Sequence, residues 1–241
     1  MGSSSEFQGI STLSTKDQIL FTRFASGPTA IVPHNVVHKA FEHQVDEHPS
    51  LIAARHNGTN ITYADLDVEA NRLANYLIGC GLKPRQRVCL VVQRSFEMLV
   101  GIFAILKCGC QYVPMDGGVV SEEALQHTLR DTSASFVLAL PKFEDKVNRC
   151  VPQEARIVCL GTNEEVSAAR HRPAVSISAA DGAYAIYTSG STGKPKGVDV
   201  SHGNVTNALL LDPGKLGIAP GTKVGQVLNV SFDMGKPLDS A

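Results

Sequence analysis

Long apolar runs and net charge are both missing from this sequence. The most apolar stretch, Met98 to Leu106, is far shorter than the ~20 residues that a membrane span needs, and no signal peptide is recognisable. The 22 basic residues nearly balance the 23 acidic ones, so no general field would draw the protein onto nucleic acid or an anionic membrane. We therefore predict a cytoplasmic protein with no nucleic-acid or membrane partner, in which any phosphate site is local.

Paired cysteine spacing is absent as well. No two of the six cysteines form a Cys-x-x-Cys pair, so we assign no metal-ligating residue. We expect reduced thiols that fill core positions, as is usual in a cytosolic protein. The six are Cys80, Cys89, Cys108, Cys110, Cys150 and Cys159.

The composition is that of a globular protein, with 43% apolar and 19% charged residues. Residues 1–35 are rich in Ser, Thr and Gly around one amphipathic stretch, Asp17 to Phe24. We predict that they form a leader or interdomain linker and that residues 36–241 form the domain.

Two helices are indicated near the start of that domain. Val37, Phe41 and Val45 recur on one helical face before Pro49, and a capping-box-like start at Thr62 opens a second periodic run. The three histidines of the first helix lie on different faces or too far apart for an obvious ligand set, so we expect them to be solvated. They are His38, His43 and His48.

A buried parallel sheet is indicated next, because Arg87 to Gln93 is short, β-branched and apolar. Strands and helices then alternate, which is typical of an α/β fold with a doubly wound, mostly parallel sheet. The other predicted elements are helices from Ser95, from Ser121 and near Ser201, and strands at Gln111 to Val113, Ser135 to Leu140, Arg156 to Leu160 and Tyr184 to Tyr187.

A loop rich in glycine, hydroxyl and lysine residues follows the last of these strands. Glycines let the backbone approach a ligand, amides and hydroxyls donate to phosphate oxygens, and lysines neutralise the charge. The loop is not a Walker loop, because Lys194 is followed by Pro195 rather than Ser or Thr. A flexible linker is the alternative reading. The candidate phosphate-binding residues are Thr188, Ser189, Gly190, Ser191, Thr192, Gly193, Lys194 and Lys196.

The loop closely resembles the phosphate loop of adenylate-forming enzymes. Three further stretches match, in order, the first, second and fourth core motifs of the adenylation domains of nonribosomal peptide synthetases, and the resemblance covers His34 to Asp233. These stretches are Ile61-Thr62-Tyr63 with Ala70-Asn71-Arg72-Leu73-Ala74, Leu106-Lys107 with Gln111-Tyr112-Val113-Pro114-Met115-Asp116, and Ser231-Phe232-Asp233. We read the first two as structural.

The resemblance implies the N-terminal part of the large subdomain of that family and an enzyme that uses ATP with Mg²⁺. It implies that an amino acid is activated as aminoacyl-AMP and then passed to the phosphopantetheine thiol of a carrier protein. By the same resemblance, Asp233 would receive the substrate ammonium group and Met234 would be the next pocket residue. His202 matches a recurrent histidine after the phosphate loop, although a capped helix-start histidine is an equal alternative. No residue is assigned as catalytic.

The pattern departs from the family after Asp233, where Gly235 and Pro237 replace helix-compatible residues. The resemblance places the adenine-stacking aromatic, the ribose-binding aspartate and the catalytic lysine beyond residue 241. We therefore expect an incomplete domain, truncated after the fourth core motif, that does not turn over by itself. A non-catalytic remnant or interaction fragment and an acyl-CoA synthetase-like ligase are the two alternatives.

Overall fold

The computed structural model describes residues 12–25, 30–162, 168–188, 195–211, 218, 221–227 and 229–231. Two compact units divide the chain, Met1–Ile31 and Val32–Ala241. In the first unit the predicted amphipathic stretch forms helix α1 (Thr15–Phe24), whose N-cap Ser14 accepts a hydrogen bond from the Asp17 amide. The role of residues 1–35 as leader or linker stays a prediction.

The second unit alternates helices and strands over its described residues. Its helices are α2 (Val37–Glu47), α3 (Tyr63–Gly79), α4 (Phe96–Lys107), α5 (Glu122–Thr132), α6 (Glu144–Cys150) and α7 (His202–Leu210), with a 3-10 turn at Pro141–Phe143. Its strands are β1 (Ile52–His56), β2 (Thr59–Thr62), β3 (Arg87–Val92), β4 (Gln111–Asp116), β5 (Phe136–Ala139), β6 (Arg156–Cys159), β7 (Gly182–Thr188) and β8 (Lys196–Ser201).

Six of the described strands form one sheet in the order β6-β5-β3-β4-β7-β8. All neighbours are parallel except β7 and β8, which are antiparallel. Alternate residues of β3 face opposite layers: Leu90 packs in a core with α3 and α4, whereas Val91 packs in a core with α5 and α6. Helices therefore cover both faces, and the predicted doubly wound, mostly parallel α/β fold is confirmed.

Hydroxyl caps set the starts of four of the predicted helices, whereas α2 begins after Val36 without a side-chain cap. The side chains of Thr62, Ser95, Ser121 and Ser201 each accept a hydrogen bond from a backbone amide of the first turn. The β1–β2 hairpin is an element that is not among the predictions. Its two-residue turn has positive φ at both Asn57 and Gly58, the conformation that Asn-Gly favours in tight hairpins.

The prediction that the histidines of α2 are solvated is wrong for His38. Its side chain is only 2% exposed and lies edge to face with His202 of α7, with ring centroids 5.8 Å apart. His43 and His48 are exposed, as predicted. Periodicity on α2 alone cannot reveal that α7 covers the flank of its apolar stripe.

A buried ion cluster joins α2, α3 and α4. The side chain of Lys107 is 1% exposed, and its Nζ lies 2.5 Å from Oε1 of Glu42 and 2.8 Å from Oδ1 of Asp67. Arg172 extends the cluster to the surface through two hydrogen bonds to Asp46, of 2.7 and 3.0 Å. Lys107 belongs to the second core motif, so this part of the motif has a structural role.

Asparagines of the first core motif region hold the segment that precedes β7. The Asn71 amide donates to the carbonyl of Arg170 at 3.1 Å, and the Asn75 amide donates to those of Ala169 and His171. These bonds satisfy backbone carbonyls in a segment that has no regular secondary structure. The first motif is therefore also structural, as predicted.

Four of the six cysteines fill core positions as predicted, whereas Cys80 and Cys159 are only half-buried. All six carry free thiols, and Cys89, Cys108, Cys110 and Cys150 are buried. Burial raises the pKa of the Cys89 thiol to about 12, which keeps it protonated and unreactive. Within the described residues, no group of three or more His, Cys, Asp or Glu side chains could hold a metal ion. Among the helices of those ranges, none combines the length and apolar character that crossing a bilayer requires.

Candidate active site at the carboxyl edge of the sheet

The carboxyl ends of β3, β4 and β7 meet at one edge of the sheet. The parallel register pairs Tyr112 with Tyr184, so the strand ends Asp116 and Thr188 both lie four residues further on. β3 leads into α4 on one face, whereas β4 leads into α5 on the other. Open α/β sheets bind ligands at the carboxyl ends of such a strand pair, and we therefore place the candidate site here.

The β7–β8 ladder brings the two ends of the predicted phosphate loop together at this edge. Thr188 ends β7, Lys196 begins β8, and the two residues pair directly. Both are exposed, so their polar groups are open to a ligand. Ser189, Gly190, Ser191, Thr192, Gly193 and Lys194 lie outside the described residues.

Helix α5 supports the flanks of the loop, a role that the sequence alone did not reveal. The Tyr187 hydroxyl donates to Asp131 at 2.5 Å, and the His127 Nε2 donates to the Pro195 carbonyl at 3.0 Å. Burial and the Asp131 carboxylate both raise the pKa of Tyr187, so its hydroxyl stays protonated as a donor. Gly197 packs closely against this tyrosine, because a Cβ there would lie 3.0 Å from the Tyr187 ring.

Val227 and residues 229–231, which precede Asp233 in the sequence, are held over the ends of β3 and β4. The Arg94 guanidinium donates to the Val227 carbonyl, and Val230 packs against the core beneath. The Asn229 amide donates to Oδ2 of Asp116 at 2.5 Å. Asp233 and Met234 themselves lie outside the described residues.

His202 is placed far from this edge. Because β8 runs antiparallel to β7, Ser201 pairs with Gly182 at the opposite end of the sheet, and His202 follows it. The imidazole is fully buried, and its Nδ1 accepts a hydrogen bond of 3.2 Å from the Val37 amide. Of the two alternatives, the geometry supports the structural helix-start histidine.

The buried imidazole of His38 should make stability depend on pH. Burial lowers its pKa from 6.5 to about 3, so the folded protein favours the neutral imidazole. The free energy of unfolding therefore decreases as pH falls from about 6.5 towards 3, where the unfolded chain binds a proton that the folded chain does not. Between pH 6 and 5, His38→Leu should reduce the pH slope of the unfolding free energy by about 1 kcal/mol per pH unit. Urea titrations at several pH values measure this slope. The exposed His43→Leu is the control, and an equal change in both variants would contradict the prediction.

Comparison with known proteins identifies the family. Residues 41–237 match the family model described as AMP-binding enzyme. The chain belongs to the AMP-binding enzyme family. Members of this family use ATP.

Two kinds of relative recur among the similar proteins. Adenylate-forming reductase 06235 of Coprinopsis cinerea is 42% identical over 228 residues, which are 93% of this chain and 22% of that protein. Tyrocidine synthase 3 of Brevibacillus parabrevis is 37% identical over 225 residues, which are 90% of this chain and 3% of that protein. The chain thus spans about a fifth of the reductase and a much smaller share of the synthase.

Solved structures share the fold. The nonribosomal peptide synthetase FmoA3, bound to alpha-methyl-L-serine-AMP, matches with a TM-score of 0.80 at 24% identity over 91% of this chain and 23% of that chain. The N-terminal subdomain of Klebsiella oxytoca NpsA, in complex with 3-hydroxybenzoyl-AMSN, matches with a TM-score of 0.71 at 23% identity over 86% of this chain and 51% of that chain. The resemblance to an adenylation-domain fold is therefore confirmed over most of the chain.

Proposed function

We propose that this chain supplies the phosphate-binding and acid-orienting part of an adenylation site that activates an amino acid. A substrate carboxylate oxygen attacks the α-phosphorus of ATP, the bond from that phosphorus to the bridging oxygen breaks, and pyrophosphate leaves. The product is aminoacyl-AMP, whose acyl group then passes to the phosphopantetheine thiol of a carrier protein. The pairing of Thr188 with Lys196 at the carboxyl edge is the observation that carries this proposal.

The residue types of the loop fit polyphosphate. Its glycines, hydroxyls and lysines offer donors and positive charge, whereas a loop with acidic residues would repel the ligand. Thr188 to Lys196 would hold the β- and γ-phosphates, and Mg²⁺ would share their charge. The proposed task of these residues is to orient the triphosphate and to compensate the charge that develops on the leaving pyrophosphate.

The proposed task of Asp233 is to bind the substrate ammonium group. A desolvated ammonium needs a charged hydrogen-bond partner, and a carboxylate provides one. The contacts of Val227 and of residues 229–231 support this proposal, because they hold residues that precede Asp233 in the sequence over the ends of β3 and β4.

A carboxylic acid without an amino group is the second candidate substrate class. Two adenylate-forming reductases of Coprinopsis cinerea, whose names specify no amino acid, are 42% and 39% identical to this chain, against 37% for tyrocidine synthase 3. A fatty acyl CoA synthetase of Mycobacterium tuberculosis also shares the fold, with a TM-score of 0.63. Dependence of the reaction on the substrate amino group distinguishes the two classes.

Binding of triphosphate to the chain by itself tests the phosphate site. We expect saturable Mg²⁺-dependent binding of ATP, with GTP and tripolyphosphate binding within about threefold, because the resemblance assigns phosphate contacts but no adenine pocket to these residues. Lys194→Ala combined with Lys196→Ala should weaken binding by at least about 100-fold, since each charge-assisted contact contributes about 1.5 to 3 kcal/mol. Isothermal titration calorimetry measures both effects.

Lys83→Ala is the matched control for charge, because Lys83 is exposed just before β3, at the opposite edge of the sheet. It should bind ATP as the unaltered chain does. Absence of saturable binding, or equal weakening by Lys83→Ala, would favour the non-catalytic fragment instead.

A further inference from the structure

Asp116 ends the second core motif, and the phosphate loop does not account for it. It lies half-buried at the carboxyl end of β4, where its Oδ1 accepts hydrogen bonds from the Gly118 amide at 2.8 Å and from the Gln93 side chain at 3.2 Å. Its Oδ2 accepts from Asn229 at 2.5 Å. One carboxylate oxygen therefore fixes the turn after β4, and the other reaches a residue 113 positions along the chain.

Asn229 links Asp116 to Ser231. Its amide nitrogen faces Asp116, while its Oδ1 accepts from the backbone amide of Ser231 at 3.0 Å and from the Ser231 hydroxyl at 2.8 Å. The carboxylate can only accept, so it dictates that the nitrogen of Asn229 points towards it and the oxygen points towards Ser231. Ser231 is the first residue of the Ser231-Phe232-Asp233 motif.

Two other contacts hold the same segment without Asp116. Val230 packs against the core that contains Leu90 and Leu138, and the Arg94 guanidinium donates to the Val227 carbonyl. These contacts fix where the segment runs. The hydrogen bond between Asp116 and Asn229 adds a constraint on the backbone conformation at Ser231, because it orients the Asn229 oxygen that accepts from the Ser231 amide.

We propose that Asp116 and Asn229 are positioning residues that aim Asp233 at the substrate ammonium group. This inference rests on the proposed function, in which Asp233 binds the acid substrate. Among the described residues, Asp116 is linked to Ser231 of this motif through Asn229. We therefore expect it to act on the affinity for the acid and not on the contacts of the triphosphate.

A swap of amide and carboxylate tests the coupling. In Asp116→Asn, the new amide oxygen should stay on the side of the two donors Gly118 and Gln93, because the opposite orientation would turn its nitrogen towards both of them. Two amide nitrogens then face each other at Asn229, which can pair with the new amide only by turning its own oxygen away from Ser231. In Asn229→Asp, two carboxylates face each other. The double variant, Asp116→Asn with Asn229→Asp, restores one donor and one acceptor on the same line, leaves an oxygen for Ser231 and keeps the net charge unchanged.

Hydrogen exchange of the Ser231 amide is the first readout, because it needs neither ligand nor activity. Each single variant should speed this exchange by about tenfold or more, and the swap should return it to within about threefold of the unaltered chain, as expected for a charge-assisted hydrogen bond. Lys142→Gln is the control, because Lys142 donates only to Gln93 within the same network. Single variants that exchange normally, or a swap that exchanges as fast as the single variants, would overturn the proposal. If Asn229→Asp does not fold, Asp116→Asn and the swap still decide it.

The second readout separates positioning from general damage. In a longer form of the protein that turns over, Asp116→Asn should raise KM for the acid about tenfold and leave KM for ATP within about twofold, with recovery in the swap. An unchanged KM for the acid, or equal changes in both constants, would overturn the positioning role. Failure of the proposed function would instead appear as absent triphosphate binding, while the exchange result of Ser231 stands independently.

Discussion

Replacing Lys107 with methionine should lower the free energy of unfolding by about 3 to 5 kcal/mol, which is the usual cost of removing one partner from a buried ion pair. Methionine fills a similar volume but removes the one buried cation between Glu42 and Asp67, whose carboxylates are at least 92% buried. The cations that remain near them, Arg172 and Lys39, are partly exposed. Urea or guanidinium unfolding followed by circular dichroism measures the loss.

Lys39→Met is the matched control for this prediction. Lys39 pairs with the other oxygen of Glu42 at 2.7 Å, yet its side chain is 50% exposed. Water screens such a pair, so we expect a loss below about 1 kcal/mol. Similar losses for the two variants would contradict the assignment of Lys107 as the central cation of the cluster.

The pKa of Glu42 determines how the destabilisation caused by Lys107→Met depends on pH. Burial by itself would raise the pKa of Glu42, but hydrogen bonds from Lys107 and Lys39 bring it below its ordinary value. Stability from this carboxylate is therefore present above its unfolded pKa and is lost as pH falls through the lowered folded pKa. Without Lys107 the buried carboxylate can take up a proton instead, so the difference between variant and unaltered chain should shrink as pH falls below about 5.

Local chemistry explains why most of the fold could be predicted from the sequence. Helix starts are fixed by hydroxyl caps such as Thr62 and Ser95, and the buried strand β3 is fixed by its run of β-branched residues. Both signals act within a few residues of the chain. The burial of His38 and Lys107 depends instead on partners that the fold brings from far away, such as His202 and Glu42, and no periodic pattern encodes these.

The candidate site likewise has one part that the sequence predicts and another part that depends on contacts between distant residues. A loop of glycines, hydroxyls and lysines directly after a buried strand predicts where phosphate would bind, because parallel strands end at a common edge. The supports of that loop on α5 and the bond from Asp116 to Asn229 join residues that are distant in sequence. Asp116 could be placed at a strand end from its motif, but its partner could not be named.

We expect the 241-residue chain by itself to catalyse no carboxylate-dependent exchange between ATP and pyrophosphate. By resemblance, the adenine-stacking aromatic, the ribose-binding aspartate and the catalytic lysine belong to segments beyond residue 241. Loss of one preorganised donor typically costs about 3 kcal/mol, or about 100-fold in rate, so we expect a polypeptide without several of them to show no measurable turnover. The NpsA N-terminal subdomain, solved in complex with 3-hydroxybenzoyl-AMSN, is matched over only 51% of its length. Exchange of radiolabelled pyrophosphate above the blank, with any acid, would contradict this expectation.

A longer form that carries this chain together with those segments should regain exchange, and Asp233 then decides the substrate class. If the substrate is an amino acid, its ammonium group loses a charged partner in Asp233→Asn, and KM for the acid should rise by about 10- to 100-fold, the value of one or two charge-assisted hydrogen bonds. A matched acid that lacks the amino group should bind poorly to the unaltered protein. Its KM should not change in Asp233→Asn, because it carries no positive charge for the carboxylate to neutralise. The opposite order, in which the acid without an amino group is the better substrate and Asp233→Asn does not impair its activation, would assign the site to the carboxylic acids that we consider as the second class. The steady-state comparison of the two acids in the two proteins therefore separates the hypotheses through the charge on a single side chain.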